Sequence, residues 1–341
     1  MENKLNHIVF LIPGFAQNEQ DSTTIPAIQL YIKALKNQHP EFQITIITFH
    51  FPYTNEKYNW HNCEVIPLNG CNIKWKQAYV WYKAYKVLSE INKKNPISIV
   101  HSFWLNECTF IGNIFSKNKN IKHICTSIGQ DVLKEKFYFK IFPLKKTVLI
   151  CESTIQKKIF LTKNKYNPKV VSWGIDTNDF IFNANKTIDI IGVGSLIPIK
   201  NFQLFIDIIY EVNKITPVKT MIIGEGFEKE MIQKKIKELK LENVITLTGL
   251  LNYRGTLSNI SKSKILLHTS NHEGFGMIFA EALQCKTMVV SKEVGCAYSS
   301  ENWHICTSKE EMIAACVKAL SATFLETEHH PFLIEKQLTI I

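Results

Sequence analysis

Two glutamates flank a short glycine-bearing segment in the second half of the chain. Glu273 precedes Gly274-Phe275-Gly276, and Glu281 lies in the following stretch of helical composition, "MIFAEALQ". Glycines at the start of a helix expose backbone amides, which suit an anion. A phosphate would repel a carboxylate, so the two glutamates suit hydroxyl groups or a developing positive charge. The alternative is that Glu273 caps the helix and that Glu281 is solvated.

Two further glycine turns each follow an apolar run. The first, "GVGSLIPIKN", contains Gly194, Ser195 and the cation Lys200, and the second, "GEGFEKE", begins at Gly224. Glycines at a strand end let the backbone approach a ligand. A plain tight turn explains each of these motifs equally well when it is taken alone.

The elements that must position these residues are short β-branched runs that alternate with longer helical stretches. This alternation predicts two successive doubly wound α/β domains, with a boundary in the polar segment 175–187. The predicted strands are 7–12, 43–49, 97–101, 123–127, 147–153 and 169–173, then 189–195, 219–224, 243–249, 264–270, 287–291 and 304–308. Ligands of such sheets bind beyond the carboxyl ends of the strands, so we expect a cleft there.

Composition describes an ordinary globular protein. The chain has 341 residues, 45% hydrophobic and 21% charged, with a net charge of +10 that favours an anionic partner. Nine scattered cysteines without a C-x-x-C pair predict free thiols and a reducing cytoplasm. Neither a signal peptide nor a membrane-spanning run is evident, so we expect a soluble protein that at most rests on a membrane.

Several motifs occur together in one order over most of the chain. The spacing from Glu273 to Glu281, the glycine turn with Lys200, "SWGIDTNDF", "LIPGF" with Gly14 and "TSIGQDVL" with Asp131 resemble the motifs of the retaining glycosyltransferases of family 4, bacterial type. That family belongs to the glycosyl transferases group 1. The resemblance implies the GT-B fold, in which two Rossmann-like domains face a cleft.

The resemblance also implies a domain plan. Residues 1–182 would form the acceptor-side domain, residues 183–325 the nucleotide-sugar donor domain, and residues 326–341 would pack back on the first. The donor would be a nucleotide-diphosphate sugar. The acceptor would be a glycan or a lipid-linked glycan in surface polysaccharide or glycoconjugate synthesis. Transfer would retain the anomeric configuration without a bound metal.

Roles for single residues follow from the same resemblance. Glu273 would hold sugar hydroxyls near the reacting carbon, Lys200 would bind the diphosphate, and Glu281 would bind the ribose. Donor binding is assigned to Gly194, Ser195, Gly224, Gly274, Phe275, Gly276 and Glu281, and the acceptor side to Gly14, His101 and Asp131.

Two departures from the family pattern affect these roles. An arginine of the family falls on Ser195, so Lys200 would hold the diphosphate alone or with Lys292 or Lys286. The acceptor-side histidine falls on Ile128, and His101 is either its substitute or a structural histidine.

Other functions remain open. An oxidoreductase would use the first glycine turn for a dinucleotide, but no complete G-x-G-x-x-G opens a helix. Ser195 and Ile128 would suit an inactive binding or scaffold protein, and a nucleotide-sugar epimerase would share the GT-B fold.

A basic aromatic stretch, residues 74–88, predicts an amphipathic helix. It is either a core helix with a lysine-rich face or a contact with acidic lipid, and residues 134–146 add to the second interpretation. Nucleic acid is not an expected partner, because no recognition module accompanies the charge.

Overall fold

A computed structural model describes residues 7–133, 137–141, 143–164, 166–176, 180, 185–326 and 332. The chain divides into two compact units, of which the first ends at Ser172 and the second begins at Trp173. The predicted domain boundary between residues 182 and 183 falls in a segment outside the described residues. The C-terminal segment 326–341 also lies outside them, apart from Glu326 and Phe332.

The first unit contains an eight-stranded sheet with the order β3-β4-β2-β1-β5-β6-β7-β8. Its strands are β1 His7–Gly14, β2 Gln43–Phe51, β3 Tyr58–Trp60, β4 Cys63–Pro67, β5 Ile99–Phe103, β6 Lys122–Thr126, β7 Thr147–Cys151 and β8 Lys169–Val170. Its helices are α1 Pro26–Gln38, α2 Gln77–Lys94, α3 Glu107–Lys119, α4 Phe137–Ile141 and α5 Thr154–Ile159. All neighbouring strands pair in parallel except β3 and β4.

The second unit contains a six-stranded sheet in which all pairs are parallel, with the order β11-β10-β9-β12-β13-β14. Its strands are β9 Ile188–Val193, β10 Thr220–Ile223, β11 Ile245–Leu247, β12 Ser263–His268, β13 Met288–Ser291 and β14 Trp303–Ile305. Its helices are α6 Phe202–Ile215, α7 Lys229–Glu238, α8 Tyr253–Ser261, α9 Met277–Gln284 and α10 Lys309–Leu320. In this Rossmann order the chain reverses direction across the sheet between β9 and β12, which is where ligands of open parallel sheets bind.

All twelve predicted strands are present. For the central strands the reason is that an apolar β-branched run covered on both faces has few alternatives to a parallel strand. Two strands were not predicted, β3 and β4. They form an antiparallel hairpin whose turn residues, His61 and Asn62, both have positive φ, 45° and 60°. Two consecutive left-handed residues are typical of a type I′ turn. The sequence has no glycine at these positions, so the turn was not predicted.

Two further expectations concern the whole chain. All nine cysteines lie among the described residues and are free thiols, as predicted. Within the described part of the chain, no helix has both the length and the apolar character needed to span a bilayer.

Candidate active site

The two predicted catalytic residues meet at the switch point of the second sheet. Lys200 ends the turn after β9, and Glu273 lies in the loop between β12 and α9. Because β9 and β12 are parallel neighbours, both residues leave the same edge of the sheet. The Lys200 Nζ donates to Glu273 Oε1 over 2.5 Å, and the side chains are only 22% and 12% exposed. Lys200 is therefore held by a carboxylate rather than extended into solvent as a mobile cation.

Burial and contacts act in opposite directions on Glu273. Burial disfavours the charged carboxylate, but contacts with His268 and Lys200 outweigh it, so the pKa of Glu273 lies well below its usual value. The side chain is an anion at neutral pH. This arrangement replaces the helix-cap interpretation, because the carboxylate is turned toward Lys200 and His268.

His268, the last residue of β12, is the third member of the site. Its Nε2 lies 3.1 Å from Glu273 Oε1, and its ring packs edge-on against Phe279 at 4.7 Å. Burial lowers the pKa of His268, so the ring is neutral at physiological pH. Neither ring nitrogen has a hydrogen-bond partner of good geometry among the described residues, so the contact of Nε2 with Glu273 is one of proximity and charge. The sequence analysis missed this residue, although its place at the carboxyl end of a central strand was a usable signal.

Hydrogen bonds tie the loop after β12 to the turn after β9. The Thr269 Oγ1 donates to the carbonyl oxygens of Lys200 and Asn201, each over 3.0 Å, and the Asn271 amide donates to the Ile199 carbonyl over 2.8 Å. These bonds fix the backbone of both catalytic candidates. The distance between their side chains is therefore built into the fold of the loops.

The glycine turns after β9 and β10 pack directly on one another. A Cβ atom on Gly224 would lie 1.9 Å from the carbonyl oxygen of Gly194, which no side chain can tolerate. The aliphatic part of Lys200 covers Gly194, with its Cδ 3.6 Å from the position of a Cβ there. The side chain of Ser195 is exposed. Close packing of the turns thus explains Gly224 without a ligand.

The segment between the two glutamates turns its aromatic side chain inward. Phe275 is 2% exposed and packs edge-on against Phe332, while its carbonyl oxygen accepts a hydrogen bond from the Cys296 amide. The predicted contact of Phe275 with a donor is therefore limited to its backbone. Gly274 is buried as well, and Gly276 stands at the N-terminus of α9 with φ of 83°.

Glu281 is buried on α9 rather than solvated. It is 8% exposed, and burial raises its pKa to about 7 against the opposing effect of a hydrogen bond with Tyr253. Close to neutral pH, this carboxyl can therefore exist in either protonation state.

The two proposed substitutes for the missing arginine differ in position. Lys292 donates to Asn271 Oδ1 over 2.7 Å, two residues before Glu273. Lys286 forms an ion pair with Glu326. Lys292 is thus tied to the loop that carries Glu273.

The acceptor-side candidates lie in the first unit. Gly14 ends β1, where a Cβ would contact the Phe51 side chain at 3.2 Å. Asp131 accepts hydrogen bonds from the Leu105 amide at 2.7 Å, the Ser127 hydroxyl at 2.7 Å and the Ile128 amide at 3.2 Å, and burial raises its pKa to about 6. This carboxylate organises the loops after β5 and β6.

His101 lies in the core of the first unit. It is fully buried, its ring is stacked 4.5 Å from Phe103, and its Nε2 shares a hydrogen bond of 2.8 Å with the Thr126 hydroxyl. Burial lowers its pKa to about 3. This environment favours the structural interpretation of His101 over the catalytic one.

The sequence has recognisable relatives. Residues 175–301 match the family described as glycosyl transferases group 1. The chain is 25% identical over 281 residues to an uncharacterized glycosyltransferase of Methanocaldococcus jannaschii, which covers 80% of this chain and 76% of that protein. It is 29% identical over 128 residues to the GDP-Man:Man(3)GlcNAc(2)-PP-Dol alpha-1,2-mannosyltransferase of Caenorhabditis elegans, over 34% of this chain and 27% of that protein.

Solved structures share the fold. Sucrose-phosphate synthase from Thermosynechococcus elongatus superposes with a TM-score of 0.74 at 14% identity, over 94% of this chain and 95% of that one. HepE from Anabaena, in complex with UDP and glucose, superposes with a TM-score of 0.68 at 16% identity, over 98% of this chain and 92% of that one. The chain is therefore a glycosyltransferase with the two Rossmann-like domains of the GT-B fold, and its residues 175–301 match the group 1 family.

Proposed function

We propose that the enzyme transfers a sugar from a nucleotide-diphosphate sugar to a glycan or lipid-linked acceptor of surface polysaccharide or glycoconjugate synthesis, with retention of anomeric configuration. The observation that carries the proposal is the group of Lys200, Glu273 and His268 at the switch point of the second sheet. The relative from C. elegans is named as using a GDP-mannose donor, and HepE binds UDP and glucose, which supports a donor of this class.

The residue types suit the charges of this reaction. Departure of the nucleotide diphosphate leaves an oxocarbenium-like sugar and adds negative charge to the leaving group. The ammonium of Lys200, held on a rigid turn, stabilises that negative charge where it develops. Glu273, ionised at neutral pH, favours the positive charge on the sugar and accepts its hydroxyl hydrogens.

Binding of the donor changes the partner of Lys200. In the structure its ammonium is paired with Glu273 at 2.5 Å. A diphosphate carries more negative charge than one carboxylate and competes for the ammonium at this short range. Glu273 then turns its free lone pairs to the sugar hydroxyls while it keeps its contact with His268.

Glu281 serves the ribose of the donor. Carboxylates bind ribose hydroxyls in dinucleotide sites of this fold type, and Glu281 follows the switch point on α9. Its buried position strengthens such hydrogen bonds, because water does not compete well for them.

Donor binding and transfer test the proposal separately. A matching UDP-, GDP- or ADP-sugar should raise the stability of the protein by about 2.7 kcal/mol at a hundredfold excess over Kd. Incubation with acceptors, followed by NMR of the anomeric proton, should show a retained configuration. Addition of EDTA should leave the rate unchanged, since we propose a reaction without a bound metal. A chain that binds none of these donors would contradict the proposal.

One observation favours a second candidate, an inactive binding protein. Ser195 presents a short neutral side chain where the family has an arginine, so Lys200 lacks that second cation. Such a protein would show the donor-induced stabilisation but no transfer and no donor hydrolysis. An epimerase would instead convert the nucleotide sugar without any acceptor.

A further inference from the structure

Helix α2 carries large aromatic side chains on its solvent face. Trp75, in the turn that leads into the helix, is 79% exposed, Tyr79 is 62% exposed and Tyr82 is 66% exposed. The spacing of four and three residues places them on one side of the helix. We call these three residues the aromatic stripe. Such a row is unusual on a protein surface, where large apolar groups are normally scattered singly.

Helix α2 packs on the core through the face opposite the aromatic stripe. The buried residues of α2 are Val80, Ala84 and Leu88, and their spacing of four places them on the face opposite the aromatic stripe. The sequence therefore supplies enough apolar surface for the core without the stripe. The interpretation of residues 74–88 as a core helix with a lysine-rich face accounts for the buried residues, but it leaves the exposed aromatic residues without a role.

Cations surround the aromatic stripe. Lys74 and Lys86 are exposed, and Lys76 lies with its Nζ 5.4 Å from the centre of the Trp75 ring. No aspartate or glutamate occurs between residues 74 and 88. The first carboxylate beyond them, Glu90, is 4.0 Å from Lys86. The outer face of the helix is therefore aromatic at its centre and positive at its edges.

A neighbouring loop adds to this surface. Lys83 donates to Asn55 Oδ1 over 2.9 Å and to the Leu68 carbonyl over 3.3 Å, so the loop that contains Asn55 lies beside the helix. Tyr53, two residues earlier in that loop, is 65% exposed. The loop thus presents a further exposed aromatic residue near the same helix.

We infer that the aromatic stripe of α2 and its lysines form a docking surface for a bilayer that contains anionic lipids. Tryptophan and tyrosine prefer the headgroup level of a bilayer, where the ring is apolar and the N–H or O–H remains hydrated. Lysines extend from the same helix to anionic headgroups. Protein interfaces, in contrast, are depleted in lysine relative to the rest of the surface. The charge of the stripe's surroundings therefore selects an anionic membrane over a protein partner.

Vesicle sedimentation tests the inference without reference to catalysis. The full chain should sediment with phosphatidylcholine vesicles that contain phosphatidylglycerol, and much less with phosphatidylcholine alone. The triple variant Trp75→Ser, Tyr79→Ser, Tyr82→Ser should lower the partition coefficient at least about tenfold. The double variant Lys74→Gln, Lys86→Gln should lower it about fivefold per lysine and weaken its dependence on salt.

A matched control separates the stripe from exposed aromatic surface in general. Phe227, in the second unit, is also 79% exposed, and Phe227→Ser should leave vesicle binding unchanged. Circular dichroism and thermal unfolding verify that each variant is folded. Failure of the folded wild-type chain to bind the anionic vesicles would overturn the inference, and so would equal binding by the triple variant. Self-association of the wild type that the triple variant loses would assign the surface to a second copy instead. Donor binding is measured separately, so neither result bears on the proposed reaction.

Discussion

Replacement of Glu281 by glutamine should stabilise the protein while it impairs the enzyme. Burial raises the pKa of Glu281 from 4.5 to about 7, so folding opposes its ionisation. Well below pH 4.5 the carboxyl is neutral in both the folded and the unfolded state, so its burial does not lower stability there. As the pH rises toward 7, the carboxyl ionises in the unfolded chain but stays largely protonated in the folded one. A pKa shift of this size lowers the free energy of unfolding by about 3 kcal/mol at pH 8 and by under about 1 kcal/mol at pH 5.

The Glu281→Gln variant removes this titration and keeps an acceptor for Tyr253. We therefore expect an increase in Tm of several degrees at pH 8, with little change at pH 5. The same variant should raise the donor KM with a smaller effect on kcat, because contacts to the ribose exist in both the ground and the transition state. In the wild type, donor affinity should increase between pH 6 and pH 8 as Glu281 ionises.

Thermal unfolding at the two pH values and donor titrations across the range provide the measurements. Glu301→Gln removes the same charge from an exposed position and serves as the control. An equal change in Tm at both pH values would show that burial of the charge is not the cause. Donor affinity that does not depend on pH in the wild type, or that survives in Glu281→Gln, would remove Glu281 from the ribose site.

Three further predictions concern the switch point of the second sheet. Lys200→Met should weaken binding of nucleotide diphosphates at least about tenfold in calorimetry. It should also lower stability by about 1–3 kcal/mol, because it leaves Glu273 without a cation. The double variant with Glu273→Gln should recover the stability in thermal unfolding but not the binding in calorimetry. Glu273→Gln alone should lower kcat by roughly 10²-fold with little change in donor Kd, and full activity with the correct donor and acceptor would refute its role. His268→Leu should lower kcat about tenfold or more, whereas His268→Gln, whose amide can reach Glu273, should retain most of the activity. If kcat instead follows Tm across the two variants, the histidine is merely structural.

The sequence predicted the parts of this molecule that depend on local pattern. Buried β-branched runs identified the strands, and the spacing of glycine, lysine and glutamate identified the loops at their carboxyl ends. The hairpin β3–β4 was not predicted, because the residues with positive φ in its turn are His61 and Asn62 rather than glycines.

Contacts between distant segments were beyond prediction. Nothing in the spacing of Lys200 and Glu273 shows that they form an ion pair, because that contact depends on which strands are neighbours. His268 was missed for the same reason, since a histidine that ends an apolar run resembles any core histidine. The aromatic surroundings of His101 likewise depend on the fold, because Phe10 comes from the neighbouring strand β1 and joins Phe103 of the same strand around the ring.

The contact between the glycine turns after β9 and β10 affects how the tolerance of this chain to substitution should be interpreted. Gly224 has no room for a single methyl group against the Gly194 carbonyl. The Gly194 amide also donates a hydrogen bond to the Ile223 carbonyl over 3.0 Å. Any side chain at position 224 would therefore separate the turns and displace Lys200 with them. A variant there would lose activity through a shifted loop, although position 224 need never touch a substrate. Intolerance to replacement at this glycine would therefore reflect the packing of the two turns. It would not show that position 224 contacts the ligand.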